Sequence, residues 1–196
     1  MAGTATISEA SERLLDSLRT LLADKRLVSA EEIDVQIRVT DTASPAQGAR
    51  MVARAWTDPD YRALLLSDGT KAAEAMGVPM RGMPPLGVLE NTPDTHNLVV
   101  CTLCSCYPRA VLGYPPFWYK SASYRARAVR DPRGTIAEWG IVLPDHVRIR
   151  VVDSTADYRW MVLPMRPTGT ENWEQGRLAG IVREGDMIGV TVPRVE

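Results

Sequence analysis

The sequence predicts an α+β protein, with an N-terminal helical arm over residues 1–42 followed by a mixed α/β layered domain over residues 43–196. Three observations carry this expectation. Apolar residues recur at helical spacing as far as Met76. The stretch Pro79 to Pro85, dense in proline and glycine, closes that regime. Beyond it come short runs rich in β-branched residues, without the regular strand–helix alternation that builds a doubly wound sheet.

The elements follow in order. Ile7, Ala10, Leu14, Leu18, Leu21 and Leu22 share one face of a helix spanning Ile7 to Lys25. Its polar face carries Glu9, Glu12, Arg13, Asp16 and Arg19. Ser29-Ala30-Glu31-Glu32 has the form of a capping box, which opens a second helix toward Val39. Both helices are apolar on one side only, so each must lie against a partner subunit or against this chain's own core. A turn-rich break, Thr42 to Gly48 around Pro45, precedes helices at Ala49–Trp56, Asp58–Leu66 and Gly69–Met76, the last ending at Gly77. Leu86–Leu89 and Leu98–Val100 read as short strands, and Val147–Val152, Tyr158–Leu163 and Met187–Val192 as later ones.

Composition narrows the function classes. With 196 residues, 45% of them hydrophobic, the chain can bury an ordinary core without disulfide staples. A net charge of −1, from 23 basic and 24 acidic residues, leaves no electrostatic footprint for nucleic acid or an anionic membrane. No apolar run approaches the roughly 20 residues of a membrane span. Met1 to Glu12 lacks the pattern of a secretory signal. The expectation is a cytoplasmic protein.

All three cysteines, Cys101, Cys104 and Cys106, fall within six residues in Val100-Cys101-Thr102-Leu103-Cys104-Ser105-Cys106-Tyr107. An odd number in one cluster does not suit a secreted disulfide framework. Thiolates are soft ligands for transition metals. Three readings stand. A structural zinc site would need a fourth ligand, for which His96 is the nearby candidate, although C-x-C closes a small loop for tetrahedral chelation. Three buried, unliganded thiols are the second reading. In the third, Cys104 and Cys106 bind one ion and draw the backbone amides of Ser105 and Cys106 against it. Deprotonated amides suit a strongly Lewis-acidic ion such as trivalent iron or cobalt. Three sulfurs and two nitrogens leave a sixth position for water or substrate, and electron-rich thiolates there can be oxidised.

At these residues the chain resembles the nitrile hydratase α subunit. The match to its claw extends through Glu90-Asn91-Thr92-Pro93, His96-Asn97, Val111-Leu112-Gly113, Pro115-Pro116, Trp118-Tyr119-Lys120 and Tyr124-Arg125-Ala126-Arg127. It continues through Asp131-Pro132-Arg133-Gly134, Val162-Leu163-Pro164, Arg166-Pro167 and Gly169-Thr170-Glu171, and upstream in Gly48-Ala49-Arg50 and Ala53-Arg54-Ala55-Trp56. The resemblance implies an α-subunit-like fold and hydration of a nitrile to its amide. It makes Cys101 the axial thiolate, Cys104 the sulfinate and Cys106 the sulfenate, with Ser105 and Cys106 supplying amide nitrogens. Cys106 and Cys104 are then the catalytic candidates, the nucleophile being the Cys106 sulfenate oxygen or an adjacent water. Thr102 and Tyr107 resemble the cobalt type, implying non-corrin Co(III) in preference to Fe(III). The implied partners are a β subunit, in a heterodimer or heterotetramer, a cobalt-inserting activator protein and a small-molecule nitrile.

Two departures stand out. Many members carry a Gln-Gly-Glu stretch where this chain has Arg81-Gly82-Met83-Pro84-Pro85, with glycine at the glutamine position, and Cys-Tyr-Pro-Trp where it has Cys106-Tyr107-Pro108-Arg109. Both changes enlarge the expected pocket. Arg109 adds a guanidinium that can pair with an anion, stack on a ring or bridge to a partner. Heterocyclic or nucleoside-like nitriles are one implied substrate class. Thiocyanate hydrolase, whose γ subunit carries the same claw, is the alternative enzyme, and a zinc module of Cys101, Cys104, Cys106 and His96 the non-catalytic one. Elsewhere, His96 reads as a structural partner of the loop and His146 as exposed. Arg159 is expected at the β interface or in an ion pair, and Trp118 as a pocket wall.

Overall fold

The computed structural model describes residues 8–195, apart from the side chains of Val39 and Thr40. The chain divides into two units, Met1–Asp41 and Thr42–Glu196.

The first unit is built from α1 (Glu9–Asp24) and most of α2 (Ala30–Thr42). Ser8 caps α1, accepting from the amide of Ser11, so the helix opens two residues later than its apolar pattern; Ile7 lies outside the described residues. The capping box forms in full: Glu32 N–H donates to Ser29 Oγ at 3.1 Å, and Ser29 N–H to the Glu32 carboxylate at 2.8 Å. Arg19 pairs with Asp34 at 3.0 Å and ties the two helices together. The apolar stripe of α1 is nonetheless uncovered, with Leu14 at 72% exposure and Leu15, Leu18 and Leu21 also exposed.

The second unit holds the core. Its first helix, α3 (Pro45–Thr57), begins at the proline read as a break, because proline is tolerated at the first helical position, where its missing N–H is not needed. It packs against α4 (Pro59–Ser67), α6 (Arg109–Leu112) and α10 (Gln175–Gly180). Gly48 makes the approach to α6 possible: a Cβ there would stand 2.6 Å from Leu112 Cδ2 and 2.7 Å from Met187 Sδ. The short α5 (Gly69–Glu74) leads into the strands.

The strands of this mixed α/β unit form two parallel pairs. β1 (Leu86–Glu90) pairs with β4 (Arg159–Leu163), and β2 (Thr95–Val100) with β3 (Arg148–Asp153). Parallel neighbours need a long crossover. Between β2 and β3 it is made of α6, α7 (Phe117–Lys120), α8 (Ala122–Arg130) and α9 (Pro132–Ala137). These four helices are absent from the sequence reading; α6 and α7, of four residues each, are too short to show a 3.6-residue period.

The expected strand Met187–Val192 does not form. A 3₁₀ turn at Glu184–Met187 runs into tight turns in which Gly185 O accepts from several following amides. Gly189 sits at φ +87°, and its Cα is so close to β2 that a Cβ would lie 1.9 Å from Asn97 O. Among the described residues, no helix is long and apolar enough to cross a membrane.

Candidate metal centre

The cysteine loop leaves the carboxyl end of β2, beside the carboxyl end of its parallel partner β3 (Val100 pairs with Asp153). Carboxyl ends of parallel strands are where open α/β sheets present their ligand loops. Here the adjacency has a specific use. Asp153 accepts from Thr102 N–H at 3.0 Å and from the Thr102 hydroxyl, pinning the loop's first turn to the neighbouring strand.

Three further groups hold the loop. Arg125 on α8 donates to the carbonyl of Leu103 at 2.9 Å and to that of Thr102 at 3.4 Å. Tyr119 donates to the Cys106 carbonyl at 2.8 Å, and Tyr124 to the Val99 carbonyl at 2.7 Å. Tyr107 is buried and donates to Glu184. Burial raises the pKa of all three tyrosines, which keeps them neutral donors.

Under these constraints the three thiols converge. Cys101 and Cys104 Sγ are 3.5 Å apart, and Cys104 and Cys106 Sγ 3.2 Å apart. All three sulfurs lie within 4.8 Å of one another, and all three cysteines are free. Cys101 and Cys106 are buried and Cys104 is exposed. Hydrogen bonds from Cys106 and Cys101, and then from the amides of Ser105 and Cys106, pull the Cys104 thiol down to about 7. Burial, followed by its thiol neighbours, pushes Cys106 up to about 12.

This arrangement fits a metal ion of the kind the sequence suggests. With a metal–sulfur bond of about 2.3 Å, two thiolates at a right angle stand about 3.3 Å apart, and at the tetrahedral angle about 3.8 Å. Of the observed separations, 3.2 Å matches the right-angle value and 3.5 Å lies midway between the two. The amides of Ser105 and Cys106 already face Cys104. Three sulfurs converge, and the backbone that joins them carries the two amides.

His96 does not join them. It sits near the amino end of β2, five residues before Cys101, or about 16 Å along an extended strand. Its Nε2 lies 2.7 Å from Gly189 O, which can only accept, so Nε2 carries the proton. Nδ1 is left to accept from Asn91 Nδ2 at 3.3 Å. Both nitrogens are spent, and among the described residues only Cys101, Cys104 and Cys106 form a metal-competent cluster. The zinc module built on His96 is therefore not the arrangement present, and neither is a set of three buried thiols.

The remaining candidates divide. His146 is exposed at the turn before β3, as read. Trp118 stacks edge-on with Tyr119, Tyr124 and Trp139, so it buttresses the loop's tyrosines. Arg109 lies over the Tyr114 ring, 4.4 Å from its centroid. Arg159 forms no ion pair among the described residues, its Nη1 is buried without a partner, and its charge favours the Cys106 thiolate. Sequence reasoning missed Asp153, Tyr119, Tyr124 and Arg125 as holders of the loop. Asp153 carried one usable signal, an acidic residue ending a strand of apolar and basic residues.

The family profile described as "Nitrile hydratase, alpha chain" matches residues 9–191. The low-molecular weight cobalt-containing nitrile hydratase subunit alpha of Rhodococcus rhodochrous is 50% identical over 178 residues, 90% of this chain and 86% of the relative. A recombinant thiocyanate hydrolase with partially modified cobalt centres superposes with a TM-score of 0.86 at 43% identity, over 96% of this chain and 92% of that one. An Fe-type nitrile hydratase double mutant from Comamonas testosteroni gives 0.82 at 40% identity, over the same shares.

Proposed function

Because this chain belongs to the nitrile hydratase α-chain family, we propose that it is the metal-carrying subunit of a cobalt enzyme that adds water to a nitrile, R–C≡N, to give the amide, R–C(=O)NH₂. The observation that carries the reading is the convergence of three thiols at the end of β2. Cys101, Cys104, Cys106 and the amide nitrogens of Ser105 and Cys106 would hold Co(III). When bound, cobalt would supply Lewis acidity that makes the nitrile carbon electrophilic.

The chain's own residues do the rest. Asp153, Arg125 and Tyr119 fix the loop, so that the donors need no rearrangement on binding. Exposure separates the cysteines: Cys104 is open to solvent and Cys106 is buried. Oxidation by dioxygen follows access, which supports deeper oxidation of Cys104, to sulfinate, and arrest of Cys106 at sulfenate. The Cys106 oxygen, or a water beside it, would deliver the nucleophile. Arg159 would favour negative charge at that sulfur.

The uncovered leucines of α1 support residues 1–42 as an arm that grips a β subunit, in a heterodimer or heterotetramer. An activator protein would insert the cobalt, and free thiols suit a cytoplasmic setting. The likeness to thiocyanate hydrolase favours a second reading, with thiocyanate as substrate.

The test is co-expression with the β partner in cobalt medium. The expected result is one cobalt per α chain, the mass of three added oxygens and conversion of nitriles to amides. Thiocyanate turnover without nitrile turnover would favour the second reading, and zinc without added oxygen would sink both.

A further inference from the structure

Val99 leads into the claw and Tyr107 leaves it, and one distant turn holds both. The turn is the 3₁₀ segment Glu184–Met187 with the residues that follow it. Its first residue, Glu184, accepts from the Tyr107 hydroxyl. Further along, Ile188 O accepts from Val99 N–H at 2.9 Å, just ahead of Cys101. Glu184 and Tyr107 are 77 residues apart, so no local pattern requires their contact.

The turn is built to act as a bracket. Gly185 O accepts from the amides of Gly189 and Val190 at 2.9 and 3.0 Å. Asp186 accepts from Arg183 N–H at 2.8 Å and from the Thr191 hydroxyl. Asp186, Met187 and Ile188 are all buried. On its other side the Tyr107 ring packs edge-on against Tyr119, with centroids 4.9 Å apart, and Tyr119 holds the Cys106 carbonyl. A bracket fixed at Val99 and at Tyr107 sets the span between the two ends of the claw. It thereby sets where the Cys106 sulfur stands relative to that of Cys101.

Glu184 is poorly suited to packing alone. It is half-buried, and among the described residues it joins no ion pair. Taking a carboxylate from water without a cation costs stability that an apolar residue would keep. In return it gives the Tyr107 hydroxyl a charge-assisted acceptor, roughly twice as strong as a neutral one.

We propose that Glu184 is a positioning residue for the metal centre: through Tyr107 it fixes the Cys106 end of the claw and so sets how firmly the three sulfurs hold their ion. The proposal rests on the cobalt-centre reading above and extends it to a residue on a separate turn.

The experiment uses the cobalt-loaded complex with its β partner. It measures the rate of cobalt loss to a chelator, the sulfur-to-cobalt absorption band and the thermal midpoint. The variants are Glu184→Leu, Glu184→Gln, Tyr107→Phe and the double variant Glu184→Leu with Tyr107→Phe. Glu184→Leu and Tyr107→Phe should each weaken cobalt retention by about 10- to 100-fold, the cost of losing a group that orients a ligand, and should shift the band in the same direction. Glu184→Gln keeps an acceptor for the hydroxyl and should recover most of the loss. The double variant should lose no more than the worse single variant, because both substitutions remove one interaction. Where Glu184→Leu does not fold, Glu184→Asp, whose carboxylate is one methylene shorter, takes its place under the same criteria. Unchanged retention and band, losses that multiply in the double variant, or no recovery in Glu184→Gln would each overturn the proposal. A parent complex that takes up no cobalt would instead overturn the cobalt-centre reading itself.

Discussion

The hydroxyl of Tyr119 donates to the carbonyl of Cys106 across 2.8 Å, so a residue of the crossover helices holds the last cysteine's backbone from outside the loop. Tyr119 is fully buried, and burial keeps its hydroxyl protonated. Tyr119→Phe should leave the fold intact but strand a buried carbonyl, at a cost of about 1–3 kcal/mol. Thermal unfolding of the metal-free chain checks the cost. An unchanged midpoint would mean that the bond contributes nothing.

Asp153 acts on the other end of the loop, accepting from both the amide and the hydroxyl of Thr102. Thr102 is exposed, so water can replace the lost acceptor and the stability change for Asp153→Ala should be small. Metal retention should suffer more, by about 10- to 100-fold, the usual cost of losing a group that orients a ligand. Competition with a chelator measures it, and parity with the parent would remove Asp153 from the account.

Metal content separates the cysteines from the histidine. Cys101→Ser should abolish cobalt loading, because it removes one of three converging sulfurs. His96→Asn should load normally, since His96 is spent on Gly189 and Asn91. Elemental analysis of the two variants decides the matter. Loss of metal in His96→Asn would return the histidine to the ligand set.

Burial lowers the pKa of His96 from its ordinary 6.5. The unfolded chain therefore takes up the proton first as pH falls, and the folded chain resists it. The sign follows: the His96 contribution is fully present above pH 6.5 and is lost as pH falls from there toward the lower folded-state value. Urea midpoints of the parent should drop between neutral pH and about pH 5 more steeply than those of His96→Asn, which cannot titrate. Equal slopes would show that His96 does not carry this dependence.

Gly189 combines a positive φ of +87° with a contact that leaves no room for a Cβ, 1.9 Å from Asn97 O. Gly189→Ala adds backbone strain and overpacking together, about 2–6 kcal/mol. The loss should appear as a large fall in the denaturant midpoint. A change below about 0.5 kcal/mol, the size of an ordinary surface substitution, would contradict the observed packing.

Much of this was legible along the chain, for local reasons. The capping box at Ser29 and Glu32 formed because both partners lie within one turn. The C-x-x-C-x-C spacing alone brings three sulfurs close, since six residues cannot spread them far. The amphipathic face of α1 was equally readable, because it depends only on periodicity. Other features escaped because their causes lie far away in sequence. Asp153 reaches Thr102 across 51 residues, and only the parallel register of β2 and β3 brings them together. Met187–Val192 has a strand's composition, but Gly185 and Gly189 and the pressure of Asn97 turn it.

The sequence by itself determined which atoms could bind a metal and which family grammar surrounds them, because ligand chemistry is a property of residue type and short spacing. Only the tertiary structure decided that His96 stands apart from the claw, that Asp153, Tyr119 and Arg125 hold it, and that Glu184 reaches Tyr107 at its end. Those outcomes depend on strand register and crossover packing, which join residues that no local pattern connects.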